Sequence, residues 1–202
     1  MAQESVIKGV LFDFDGTLTE PGALDFKAIK AELGCPQDET ILEYLEAQPD
    51  GRRMKLMKIL EQSEEKAAEI SRPNKGAEDC VLWLKKKGFL LGILTRNSLV
   101  SVESSLEKFE GVSMNDFATV VTRDVSQPKP HPDGVQKAAN EMGLDPSQIL
   151  VIGDFRFDII AGRAAGARTA LLVTEGRPVM EAGDPEPDYC LKGLAQIVDI
   201  LQ

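Results

Sequence analysis

Two aspartates two residues apart, Asp13 and Asp15, stand at the end of an apolar run and are followed at once by Gly16 and Thr17. In an extended strand a spacing of two sends both side chains to one side. Carboxylates at the end of a core strand are costly without partners, so the pair calls for a cation or a raised pKa. A surface turn of the Asp-Gly-Thr kind is the plain alternative. The residues leading straight into the pair, Val10, Leu11 and Phe12, speak against it.

Three more polar groups follow later apolar runs. Thr95, Arg96 and Asn97 come after the second, Lys129 sits in a Lys-Pro-His-Pro loop after the third, and Gly153-Asp154 through Asp158 closes the fourth. Alone, each has an ordinary explanation: Thr95 near a helix cap, Lys129 as a solvated lysine, Asp154 and Asp158 as capping acids. Together and in this order they suit phosphoryl transfer, in which charge on the equatorial oxygens must be held while attacking and leaving oxygens stay in line.

Each group then has a part. A carboxylate is ionised at neutral pH, so Asp13 can attack phosphorus and form an aspartyl phosphate. Asp15 would protonate the leaving oxygen and later deprotonate the attacking water. Oxygens from Asp13 and Asp154, the backbone carbonyl of Asp15 and several waters would suit octahedral magnesium, Mg2+. Thr95 and the amides around Arg96 and Asn97 would hold phosphate oxygens at the start of a helix, with Lys129 neutralising further charge. Asp158, one helical turn beyond Asp154, is spaced to orient that lysine or to support the metal's ligands.

These groups need a scaffold that brings them to one rim. Short runs rich in Val, Ile and Leu at residues 10–14, 90–94, 118–121, 149–152 and 169–173 read as buried strands. Helical periodicity over residues 77–87, 98–109, 133–142, 159–165 and 194–201 alternates with the later ones. The expected fold is therefore α/β with a mostly parallel sheet, whose carboxyl edge is where ligands bind. After the first strand the alternation breaks for about 60 residues, far longer than an ordinary connection. Residues 24–33, 40–47 and 52–70 in that stretch read as amphipathic helices, a small cap over the rim. Pro21 and Gly22 on the way out, and Pro73 and Gly76 on the way back, mark its hinges. The expected division is a core of residues 1–18 and 76–202 with a cap of residues 19–75.

Composition narrows the partners. A formal net charge of −10 and a pI near 4.7 disfavour nucleic acid and anionic membrane surfaces. A small phosphate ester stays compatible, because a metal and one or two cationic side chains can reverse the field inside a cleft. Cys35, Cys80 and Cys190 are odd in number and lack metal-type spacing, so they read as reduced thiols. The apolar run of residues 6–18 is interrupted by Lys8, Asp13 and Asp15, which argues against a cleavable signal, and no segment reaches the roughly 20 apolar residues of a membrane span. A cytoplasmic location is the default expectation.

The series Asp13-x-Asp15-Gly16-Thr17, Thr95, Lys129 and Gly153-Asp154-x-x-x-Asp158 resembles the haloacid dehalogenase superfamily over nearly the whole chain. The helical insertion looks like the cap of the phosphoglycolate phosphatase and beta-phosphoglucomutase branch. The resemblance implies a Rossmann-like, doubly wound core, an aspartyl-phosphate intermediate and magnesium. By the same resemblance the family's dehalogenases lack the second aspartate, so Asp15 favours phosphate chemistry. The expected function is a magnesium-dependent phosphatase of a small phosphorylated metabolite, with phosphoglycolate or a small sugar phosphate as the family-level substrate. A sugar-phosphate mutase, which returns the phosphoryl group to its substrate, and a receiver-like phospho-aspartate signalling domain are the alternatives. The insertion is short and carries no stretch that matches a substrate loop, which leaves the substrate open, as is the oligomeric state.

Several conspicuous residues stay outside this set. Arg52 and Arg53 read as the charged start of a solvated helix, and Lys85, Lys86 and Lys87 as a helix end. His131, between Pro130 and Pro132, reads as part of a rigid loop that positions Lys129, and Trp83 as a core residue.

Overall fold

Continuous apolar runs, rather than alternating ones, imply strands covered on both faces. The computed structural model, which describes residues 6–173 and 180–201, shows that arrangement. Strands β1 (Gly9–Phe12), β2 (Leu90–Leu94), β3 (Thr119–Val121), β4 (Ile149–Gly153), β5 (Arg168–Leu172) and β6 (Tyr189–Leu191) form one parallel sheet in the order β3-β2-β1-β4-β5-β6. Four helices separate β1 from β2: α1 (Phe26–Leu33), α2 (Ile41–Glu46), α3 (Asp50–Ile70) and α4 (Ala77–Lys86). The later helices are α5 (Leu99–Leu106), α6 (Asp133–Met142), α7 (Arg156–Ala165) and α8 (Ile197–Ile200).

The pleat divides the core in two. Val10, Phe12, Ile93 and Ile152 point to one face and pack with Val81, Val102 and Ile197 from α4, α5 and α8. Leu11, Leu94 and Val151 point to the other and pack with Val135, Ala138 and Ala161 from α6 and α7. The chain thus has the doubly wound α/β core expected of it. Trp83 is partly buried against the first cluster, where Lys87 lies 5.4 Å from its ring centroid.

The departures have local causes. β1 stops at Phe12 instead of Phe14, because the carbonyl of Phe14 receives the N–H groups of Thr17, Leu18 and Thr19 at 3.3, 2.9 and 2.9 Å and folds the chain into a tight loop. α7 starts at Arg156, earlier than the apolar pattern implies, because the Asp158 carboxylate accepts from the Phe155 N–H at 3.1 Å and caps the first turn. α5 ends at Leu106, short of residue 109, and the last segment splits into a 3-10 turn and α8. β6 was not anticipated: its three residues are bounded directly by Asp188 and Lys192, so they form no run rich in Val, Ile and Leu.

The helical insertion has its own buried cluster of Ile29, Leu33, Ile41, Leu45, Leu56 and Leu60. Asp25 starts α1 by accepting from the Ala28 N–H at 3.0 Å. Where the chain leaves and re-enters the sheet, the two connecting segments lie antiparallel. Glu20 N–H donates to Arg72 O at 2.9 Å, Asn74 N–H to Leu18 O at 2.8 Å, and the Asn74 side chain to Thr17 O at 3.0 Å. Among the described residues no helix is long and apolar enough to cross a membrane.

Candidate active site

Topology does the first part of the positioning. Phe12 of β1 lies in register with Ile93 of β2 and Ile152 of β4, so Asp13, Thr95 and Asp154 emerge from three adjacent strands at one carboxyl edge. β1 is also where the strand order turns back, the crevice in which open parallel sheets bind ligands. Lys129 arrives from the loop before α6, and Asp158 from the first turn of α7.

Lys129 is buried, and all three ammonium donors have acceptors. They go to Asp13 Oδ1 at 2.6 Å, Asp158 Oδ1 at 2.6 Å and Leu94 O at 2.8 Å. Burial alone would push this ammonium's pKa down, yet Asp13 and Asp158 outweigh it and hold the pKa above the ordinary lysine value. Burial and the charge of Asp13 push the Asp158 carboxyl up, against the pull of Lys129. Each oxygen of Asp158 already accepts a hydrogen bond, one from Lys129 and one from the Phe155 N–H.

Asp15 has a different environment. Its Oδ2 accepts from the Asn97 side chain at 2.6 Å. Burial first, then the charges of Asp13 and Glu64, raise its pKa to about 7, which outweighs the opposing effects of Asn97 and Lys129. A carboxyl that titrates near neutrality can both give and take a proton in one cycle.

Asp154 completes an acidic cluster. One carboxylate oxygen from each of Asp13, Asp154 and Asp158 lies within 4.8 Å of the others. Three carboxylates against one lysine leave excess negative charge, and an all-oxygen donor set of this kind fits a hard divalent cation. Two glycines make the closeness possible. A Cβ on Gly16, which has φ +80°, would stand 2.3 Å from Asp154 Oδ2, and one on Gly153 would stand 2.0 Å from Asp158 Cγ.

Asp13, Asp15, Thr95, Arg96, Asn97, Lys129, Asp154 and Asp158 all line one chamber of about 420 Å³. The chain does not present Thr95–Asn97 as a helix start, however. α5 begins at Leu99 with Ser98 as its cap, and Thr95 Oγ1 accepts from the Asn97 N–H at 3.1 Å. The Arg96 guanidinium grips Glu43 of α2 at 3.0 and 2.7 Å, donates to the carbonyl of Lys129, and lies 5.1 Å from the Phe157 ring centroid.

Glu43 and Glu64 escaped the sequence reading. Glu64, from the middle of α3, is buried at the chamber wall, pairs with Arg123 and accepts from the Ser98 N–H at 3.4 Å. Burial raises its pKa, partly offset by Arg123. Nothing distinguishes it in sequence from the other charges of that helix. His131, Arg52 and Arg53 do not line the chamber. His131 Nδ1 accepts from the Asp133 N–H at 3.2 Å, Arg52 donates to the Tyr44 hydroxyl at 3.2 Å, and Arg53 pairs with Asp50 at 2.8 Å.

Residues 10–172 match the family model described as haloacid dehalogenase-like hydrolase. An uncharacterized hydrolase of Saccharomyces cerevisiae is 30% identical over 201 residues, covering 97% of this chain and 91% of the relative. The pyrophosphatase PpaX of Bacillus velezensis is 29% identical over 212 residues, covering 96% of each. A predicted phosphoglycolate phosphatase from Haemophilus somnus superposes with a TM-score of 0.75 at 22% identity, over 97% of this chain and 98% of that one.

Proposed function

The chain belongs to the haloacid dehalogenase-like hydrolases, and from that premise we propose a magnesium-dependent phosphatase that cleaves a small phosphate monoester through a phosphoryl group carried on Asp13. One observation carries the reading. Asp13, held by Lys129, and Asp15, held by Asn97, open onto the same chamber with Asp154 beside them.

Thr95 donates to a phosphate oxygen, and Lys129, whose three donors are taken, offsets the charge of the phosphate while fixing the Asp13 carboxylate through Oδ1. An Asp13 oxygen bonds to phosphorus as the bond from phosphorus to the ester oxygen breaks, and Asp15 gives that oxygen its proton. Because Asn97 donates to Oδ2 of Asp15, Oδ1 is the oxygen left to carry the proton toward the ester. In the second step Asp15, now ionised, takes a proton from water while the water oxygen attacks phosphorus. The bond to Asp13 breaks, its carboxylate is restored, and inorganic phosphate leaves. Magnesium, when held by the Asp13 and Asp154 carboxylates and the Asp15 carbonyl, would offset the repulsion between these acids and the incoming phosphate. Asp158 acts as the positioning group for Lys129. The insertion, residues 19–75, serves as a cap: Leu24, Phe26 and Leu42 supply the wall opposite the acids.

Family membership sets the receiver-domain alternative aside. The mutase alternative is separated by its product, since only hydrolysis releases inorganic phosphate, and the relative named a pyrophosphatase supports hydrolysis. The test is phosphate release from 4-nitrophenyl phosphate with magnesium. Asp13→Asn abolishes it while circular dichroism stays unchanged; full turnover in that variant removes Asp13 from its role.

A further inference from the structure

The chamber has two chemically unlike sides. Its floor is the acid and lysine cluster at the strand ends. Its opposite wall is Leu24, Phe26, Ile29, Ile41, Leu42 and Leu60, all from the insertion, and Phe155 adds a core residue at the margin. Most of these are buried in their own cluster, but Phe26 and Phe155 are not: they remain 52% and 43% exposed. Large aromatic side chains left uncovered inside a concave site gain most from a ligand that covers them.

The charges of the lining point the same way. Three cations line the chamber among the described residues, and two of them are paired with carboxylates. Lys129 is spent on Asp13, Asp158 and Leu94 O, and Arg96 is clamped on both oxygens of Glu43. Lys30 places one of its three donors on the carbonyl of Gln37, a neutral partner that does not cancel its charge. Glu64 adds a carboxylate to the wall, and its negative charge reaches far enough to act on Asp15. Against these three cations the lining sets five acidic side chains, Asp13, Asp15, Glu64, Asp154 and Asp158, so a second anionic group on a substrate would meet an excess of like groups and only Lys30 as a lining cation that no described carboxylate pairs. Holding such a group against that excess is unfavourable.

Resting on the phosphatase reading above, we propose that the alcohol released by this enzyme is uncharged and largely apolar, an aryl or alkyl group that lies against Phe26 and Phe155, and that phosphoglycolate and inorganic pyrophosphate are poor substrates. The phosphoryl group sits on the acid floor, and the organic part reaches to the insertion wall. Phe26 and the residues around it are then specificity determinants, because they touch only the part of the ester that differs between substrates.

The experiment compares kcat/KM of the full chain with magnesium for four compounds: 2-phenylethyl phosphate, glycerol 2-phosphate, phosphoglycolate and inorganic pyrophosphate. 4-Nitrophenyl phosphate reports phosphatase activity as such. The expected result favours the phenylethyl ester by about 10-fold or more over each of the other three, the scale on which apolar pockets discriminate. Phe26→Ala, a change at a half-exposed side chain, raises KM for the phenylethyl ester more than for glycerol 2-phosphate. Phe26→Lys narrows or reverses the preference over phosphoglycolate by adding a cation and removing the apolar surface. If phosphoglycolate or pyrophosphate equals the phenylethyl ester, the uncharged requirement is wrong while the phosphatase reading stands. If glycerol 2-phosphate equals it, the apolar requirement is wrong. If 4-nitrophenyl phosphate is also inert, the phosphatase reading itself fails and takes this inference with it.

Discussion

Lys129 Nζ meets Asp13 Oδ1 at 2.6 Å although 116 positions separate the two in the chain. The contact exists only when β1, β2 and the loop before α6 are all in place, so it ties the chemistry to the finished fold. It also binds three groups into one unit, since the same ammonium holds Asp158.

Lys129→Ala leaves Asp13 and Asp158 facing each other without their cation. Removing one partner of a buried ion pair costs about 3–5 kcal/mol, so a marked drop in the urea midpoint is expected together with loss of turnover. Magnesium should recover part of the stability and none of the turnover. A variant as stable as the parent in metal-free buffer would contradict the account of this cluster.

Asp15, with its pKa raised to about 7, gives opposite pH responses in the two half-reactions. Where leaving-group departure limits the rate, as with an alkyl phosphate, the protonated form is needed and the rate falls as pH rises through the Asp15 pKa. Where water attack limits, as with an activated aryl ester, the ionised form is needed and the rate rises through it. A bound divalent cation pulls this pKa down and moves both limbs to lower pH. Asp15→Asn slows the alkyl ester by about 100- to 10,000-fold and removes both limbs. Limbs that persist in that variant belong to another group.

The same raised pKa has a stability consequence. The native state binds the Asp15 proton more tightly than the unfolded chain, whose carboxyl titrates at its ordinary value of 3.8. Its contribution is complete below that value and is lost as pH climbs through about 7. Metal-free protein should therefore show a decline in stability over that window that is smaller in Asp15→Asn, measured by urea unfolding at pH 5, 6 and 8.

Arg96 and Glu43 join the core to the insertion at a half-exposed site. Pairs so open to water contribute about 0.2–1 kcal/mol, so Glu43→Gln should barely change the melting temperature. Its effect should fall on substrate affinity and on the opening of the insertion, read as a change in KM and in hydrogen exchange of α2. A large loss of global stability would mean the contact is part of the folding core instead.

Gly153→Ala tests the packing beneath the acids. Its new methyl would overlap Asp158 Cγ, 2.0 Å away, and push that carboxylate off Lys129. Overpacking of this kind costs about 1–3 kcal/mol, and activity should fall further than stability. An unimpaired enzyme would show that Asp158 need not sit where it does.

Much of the floor of the site was legible in sequence because a parallel sheet writes its strands as unbroken apolar runs and its ligand-binding tips as the polar residues just after them. Asp13, Thr95 and Asp154 could be placed at one edge from that alternation alone, without knowing which strands are neighbours. The opposite wall was not legible. Glu43 and Glu64 sit on helices carrying many charges, and which of these turn inward depends on how the insertion settles on the core, a relationship no local periodicity records. The hydrogen bond from Asn97 to Asp15 was hidden for a related reason: Asn97 read as a source of backbone amides near a helix, and its side-chain partner lies 82 positions away in the loop after β1. Phe14 illustrates a third limit, since a carbonyl that gathers three N–H groups ends a strand without any signal in residue type.

The pairing of Thr19 with Pro73, where the outgoing and incoming chains run together, restricts how the helices beyond it can travel. Sliding them across the sheet would tear the bonds that stitch those two strands of backbone, whereas swinging them leaves the stitching whole, as a book cover swings on its spine. Any movement of the insertion that spares those bonds is therefore expected to change one angle rather than its position along the sheet.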